Sequence, residues 1–220
     1  GPFSIHMWRQ SDCLSFTLNY AQEGMNFFEP KIHWSGDDPE GRTASEFPII
    51  YYIVAGLWKI FGQHEWILRA INLLIVYLGL FYLFKFCRKY LESDFWATYI
   101  PLLVFTSPVL VYYSNNFLMN APSFGLVLIA LYYYWQFIAQ KRTSGFNIAL
   151  VLFLVAGLLK ITALLLFTAI LIVHLMSLVP RLKSTFKIPD LIRPHHLISF
   201  GAVTLIIFLW IRWSQHYNLI

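Results

Sequence analysis

The sequence predicts an all-α fold: a polytopic transmembrane helical bundle, with interfacial juxtamembrane helices in an N-terminal extracytoplasmic loop. Three observations predict it. The 220 residues are 58% apolar and only 12% charged, against roughly 45–50% and about 25% in soluble domains. The mean hydropathy is +0.60, and the apolar residues fall in runs near the ~20 needed to span a bilayer. Eight of the 11 acids (Asp12, Glu23, Glu29, Asp37, Asp38, Glu40, Glu46 and Glu65) lie within the first 65 residues. The chain thus divides into a water-facing part, residues 1–65, and a membrane part, residues 66–220.

In the first part, Leu14, Leu18, Ala21 and Met25 recur at helical spacing behind Asp12. This predicts an amphipathic helix lying at the interface, with Ser11 or Asp12 as its cap. A loop rich in Gly, Pro and Asp follows, too broken for regular structure. A second helix opens at Pro48 and stops at Gly62. With roughly 14 residues it reaches about 21 Å, too short to cross.

In the second part, apolar runs over residues 66–84, 95–113, 121–138 and 197–213 predict spans, the second with kinks at Pro101 and Pro108. Residues 146–178 are longer and contain Gly157 and Lys160. They form either two short crossings folded back near Leu158–Thr162 or one tilted helix with a charge midway. The basic loops decide in favour of the fold-back. Lys85, Arg88 and Lys89, then Lys141 and Arg142, then Arg181, Lys183, Lys187 and Arg193, all stay on the cytoplasmic side only if this stretch returns. Lys160 then faces outward, on the side of residues 1–65. These basic clusters suit anionic lipid headgroups, so the net charge of +5 is topology and no nucleic acid is expected. No hydrophobic leader precedes residue 1, which predicts that a first transmembrane helix lies outside this sequence. The chain ends as it emerges outside, so further helices are expected beyond residue 220.

Cys13 falls outside and Cys87 at the inner rim, so no disulfide is expected. No N-x-S/T sequon occurs. His6, His33, His64 and His216 lack metal-ligand spacing, and there is no nucleotide-binding glycine loop, so neither metal nor other cofactor is expected.

Asp12, after Trp8, Arg9 and Gln10, is the candidate catalytic base, able to take a proton from an acceptor hydroxyl or amine. A helix cap is its other reading. Arg9, Arg69 and Lys160 suit a phosphate or pyrophosphate. For Arg69 the alternative is headgroup snorkelling, and for Lys160 an interfacial lysine. Glu46 stands at the mouth of the second helix, where a carboxylate also favours the helix dipole. With Gln10 and with Asn120 in an outer turn, these complete the expected substrate-binding set.

The segment FPIIYYIVAGLWKIFGQHEWILRAINLL, followed by SPVLVYYSNNFLMNAPSFGLVLIALYYYW and GLLKITALLLF, resembles membrane glycosyltransferases of the GT-C class. Its relatives there are the dolichyl-phosphate-mannose protein mannosyltransferases and the lipid A aminoarabinose transferases. WRQSD resembles the loop carrying that family's catalytic aspartate. The resemblance implies an inverting glycosyltransferase that moves a sugar from a polyprenyl-phosphate donor to an acceptor glycan, lipid or protein. It implies an active site on the extracytoplasmic face of a membrane such as the bacterial inner membrane, and Asp12 as the base. Arg69 and Lys160 match the family's recurrent Arg and Lys. Cys13 stands where many relatives have a second acid, and Asn120 where an acid is common. Two other classes remain open at this point: a transporter or flippase of lipid-linked sugars, and a non-catalytic membrane subunit of the same fold.

Overall fold

The computed structural model describes residues 2, 6–33, 40–189 and 195–219. Asp37, Asp38 and Arg193 of the acidic and basic clusters lie outside the described residues. Among those described the architecture is helical, apart from one isolated antiparallel bridge between Lys31 and Arg42.

Helix α1 (Met7–Gln22) begins five residues before Asp12, so neither Asp12 nor Ser11 caps it. The left-handed turn at His6 (φ 62°) starts the helix. The Ser11 hydroxyl donates back to the Met7 carbonyl at 3.1 Å, as a serine inside a helix does. The expected stripe of Leu14, Leu18, Ala21 and Met25 is only half-buried. The face turned inward carries Gln10, Cys13, Phe16, Thr17, Asn19 and Tyr20. Its polar members are tolerated because they bond: Thr17 to the Cys13 carbonyl at 3.2 Å, and Asn19 to the Lys31 carbonyl at 2.8 Å. Helix α2 (Ile49–Phe61) packs against α1, with Pro48 before it and Gly62 (φ 87°) after it. At about 24 and 20 Å, α1 and α2 are both too short to cross a bilayer.

Helix α3 (Glu65–Leu91) runs through the expected stop at residue 84 and carries Arg88 and Lys89 in its last turn. Its length of about 40 Å exceeds the ~30 Å hydrocarbon core, so it can also reach a headgroup layer. The next apolar run breaks at Thr106–Ser107 into α4 (Asp94–Phe105) and α5 (Pro108–Ser114), bent by 67°. Pro108 opens α5, as its missing N–H allows, whereas Pro101 sits inside α4. Helix α6 (Asn120–Gln140) is a full span, and so is α10 (His195–Tyr217).

Between them, α7 (Thr143–Leu159) stops where Lys160 turns extended (φ −154°, ψ 116°), and a short 3-10 turn leads into α8 (Leu164–Met176), which the short α9 (Pro180–Thr185) follows. These two helices fold back on each other. Phe153 meets Phe167 at 5.7 Å and Phe146 meets His174 at 6.0 Å, so each step back along α7 is matched by a step forward along α8. A continuous helix would hold Phe146 and His174 about 42 Å apart. The stretch is a hairpin, and Lys160 is at its tip.

The buried residues form three clusters: one among α6, α7, α8 and α10, one where α1 and α2 meet Phe117–Met119 and Leu159, and one among α3, α4 and α6. Elsewhere large apolar side chains such as Leu74, Tyr77 and Phe81 on α3, and Leu205, Phe208 and Leu209 on α10, stay exposed. Such faces suit lipid rather than water.

Helices α3 and α6 cross at Gly79 and Gly125. A Cβ on Gly79 would meet the Gly125 Cα at 2.7 Å, and one on Gly125 would meet the Ile75 carbonyl oxygen at 2.6 Å. Both obstacles are backbone, so Gly125→Ala should destabilise the protein by about 1–3 kcal/mol through overpacking. Gly201→Ala, with open space around it, should leave the thermal midpoint in detergent unchanged or raise it. A scan of both variants checks the pair.

Candidate active site

The site is organised by a short strap, residues 44–48, stretched across one end of the helices. Asn218, just after α10, grips one end: its Oδ1 accepts from the Ala44 amide at 2.6 Å and its Nδ2 donates to the Ala44 carbonyl at 2.9 Å. At the other end the Phe47 amide donates to the Leu158 carbonyl beside the hairpin tip at 3.1 Å. The Phe47 ring sits edge-on to Trp210 at 4.9 Å. Glu46 lies between these ties.

Its carboxylate joins four segments. Oε1 accepts from Lys160 Nζ at 2.9 Å and from Arg9 Nη2 at 3.4 Å. Oε2 accepts from the Tyr51 hydroxyl at 3.1 Å. The side chains of Glu46 and Lys160 are 9% and 19% exposed, against 38% for Arg9. The Lys160–Glu46 pair is therefore screened far less than a surface ion pair. These three groups together carry one positive charge, and the two cations offer N–H donors to an anionic ligand.

Asp12 lies one turn beyond Arg9 on the same side of α1. Partial burial raises its pKa from the ordinary aspartate value, and the neighbouring Arg9 guanidinium works in the opposite direction. Glu46 already has both oxygens engaged. Asp12 is thus the carboxylate better placed to accept a proton.

Beside the charges is a cavity of about 280 Å³. Arg9, Glu46 and Lys160 form its polar side, while Leu158, Ile207, Trp210 and Ile211 form its apolar wall. A molecule with an anionic head and a hydrocarbon tail matches that division.

The other residues expected at the site sit in their own surroundings. Gln10 is fully buried, and its amide donates to the Tyr112 hydroxyl of α5 at 3.2 Å, so it fastens α1 to α5. The Arg69 guanidinium lies over the Phe117 ring at 4.6 Å, a cation–π contact. Asn120 opens α6 and lines a different, mostly apolar groove of about 480 Å³ at the α4–α5 bend, with Val104, Leu110, Tyr113 and Phe124. Cys13 and Cys87 form no disulfide, and both are buried. Two neighbours of Glu46 were not expected from sequence: Tyr51, which is fully buried, and the Cys13 thiol against it. The one signal for Tyr51 was a hydroxyl on an otherwise apolar helix face, five residues beyond Glu46.

Asn218→Ala removes both hydrogen bonds to Ala44. Amide exchange at residues 44–47 should then accelerate, while exchange in the middle of α6 stays slow; hydrogen-exchange mass spectrometry reads both.

No curated protein and no solved structure matches the chain. The family model for dolichyl-phosphate-mannose-protein mannosyltransferase matches residues 42–213, a stretch that includes the strap, the hairpin and α10 up to its last turn. The chain belongs to that family, and it is an integral membrane glycosyltransferase of the GT-C type.

Proposed function

We propose that this chain moves a sugar from a polyprenyl-phosphate donor to a hydroxyl or amine of an acceptor, with inversion, on the extracytoplasmic face of a membrane such as the bacterial inner membrane. The observation that carries this reading is the divided cavity, with Arg9, Glu46 and Lys160 on one side and an apolar wall on the other. The donor phosphate would lie against the two cations, and the first prenyl units against Trp210, Ile207 and Ile211. Residues 1–65 would face water outside the membrane, with residues 66–220 as the membrane domain.

The step is a single displacement. Asp12 takes the proton from the acceptor, whose oxygen or nitrogen forms the new bond to the anomeric carbon as the bond to the phosphate oxygen breaks. The polyprenyl phosphate leaves with the electron pair, and Arg9 and Lys160 stabilise the charge that develops on it. Asp12 lies before the matched residues. Its role rests on its place beside Arg9 and on its free capacity to act as a base.

Asp12→Asn in the intact protein should lower transfer from a purified polyprenyl-phosphate sugar by about 10²–10⁴-fold, the usual contribution of a general base. Full activity would remove Asp12 from this role. The acid limb of kcat/KM should fall as Asp12 is protonated, at a higher pH than for a fully exposed aspartate, because desolvation favours the neutral form. Arg9 lowers that pKa, so Arg9→Gln should move the limb to higher pH, whatever it does to the maximal rate. A cysteine substituted for Lys160 should react with an impermeant thiol reagent added outside, over a low background from the buried Cys13 and Cys87. Labelling from the cytoplasmic side would reverse the orientation.

A further inference from the structure

Tyr51 belongs to the apolar face of α2 and is fully buried. A buried phenol needs a partner for its O–H. Its oxygen has two neighbours: Glu46 Oε2 at 3.1 Å and Cys13 Sγ at 2.9 Å. The hydroxyl has a single proton to give. A carboxylate is a much stronger acceptor than sulfur, so the proton goes to Glu46, and the thiol can turn its own S–H toward the phenol oxygen. Burial raises the pKa of both the thiol and the phenol, so both groups keep their protons for this chain of bonds.

The chain fixes the rotation of the Glu46 carboxylate. With Oε2 held by Tyr51, only Oε1 is left to face Lys160 and Arg9, and it meets both. Were Oε2 released, the carboxylate could turn and present both oxygens to the cations, as planar Arg–carboxylate pairs favour. That would occupy the N–H donors of Arg9 and Lys160 that a phosphate needs.

We propose that Tyr51, supported by Cys13, is a positioning residue: it holds Glu46 in the orientation that keeps Arg9 and Lys160 available to a polyprenyl phosphate. This rests on the donor reading above and adds the group that tunes its phosphate site.

The test uses the full purified chain in detergent and a polyprenyl phosphate without sugar, so that binding is read apart from transfer. Tyr51→Phe should weaken binding roughly tenfold, the scale of one lost hydrogen bond to a charged group. Cys13→Ala should weaken it in the same direction, and Cys13→Ser, which restores a donor, should recover it. In a Glu46→Gln background Tyr51→Phe should have no further effect, because Tyr51 acts through that carboxylate. An unchanged Kd for Tyr51→Phe, or the same weakening in both backgrounds, overturns the proposal. If Tyr51→Phe does not fold, the Cys13 pair decides: loss with Ala and recovery with Ser supports it, and wild-type binding by both overturns it. A wild-type chain that binds no polyprenyl phosphate overturns this proposal and the donor reading together. The predicted pattern of binding in a chain that transfers no sugar supports Tyr51 and removes the transferase reading alone.

Discussion

The strap-bearing end of this molecule depends on one carboxylate. Glu46 accepts hydrogen bonds from Lys160, Arg9 and Tyr51, and these come from the hairpin tip, α1 and α2. Burying a charge is expensive unless it is paired and its lone pairs are satisfied. Here both conditions are met, so the strap, helices α1 and α2 and the hairpin have one shared arrangement that satisfies them all. Removing the carboxylate would leave two cations facing each other beside apolar walls, where their repulsion is poorly screened.

The membrane part supplies the frame. Apolar side chains gain little by leaving lipid for one another, so close packing has to hold the helices together. Two devices do this. At the α3–α6 crossing Gly79 and Gly125 let backbones touch. Around α7, α8 and α10 a chain of aromatics fills the space, running from Phe146 to Phe200, Phe167 and Phe153. The hairpin tip is held firmly enough by this packing for Lys160 to meet Glu46 at a defined distance.

Much of the frame was legible in the sequence, because hydrophobic length is a strong signal. The long apolar helices, the short helix after Pro48, the break at Pro108 and the turn at Lys160 were all visible as runs and interruptions. Parity of the basic loops, which needs no coordinates, favoured the hairpin that the paired rings of α7 and α8 display. The start of α1 was misread because Ser11 and Asp12 look like caps, whereas the helix begins on the left-handed turn at His6. The inward face of α1 was also misread: its polar residues are buried because partners elsewhere in the chain satisfy them, and periodicity cannot register that. Glu46, Arg9 and Lys160 were each singled out as candidates. Their convergence was not legible, since 37 and 114 residues separate Glu46 from its two cations. The part played by Tyr51 was hidden for the same reason, as a tyrosine on an apolar helix looks like core.

The grip of Asn218 on Ala44 spans 174 residues, and it orders events during synthesis. Helices α1 and α2 and the strap leave the ribosome before the residues that anchor the strap, Leu158 at the hairpin tip and Asn218 after α10. Until Lys160 follows, more than a hundred residues later, Glu46 has only Arg9 and Tyr51 of its three partners. The charged centre is therefore completed long after Arg9, Glu46 and Tyr51 have been made.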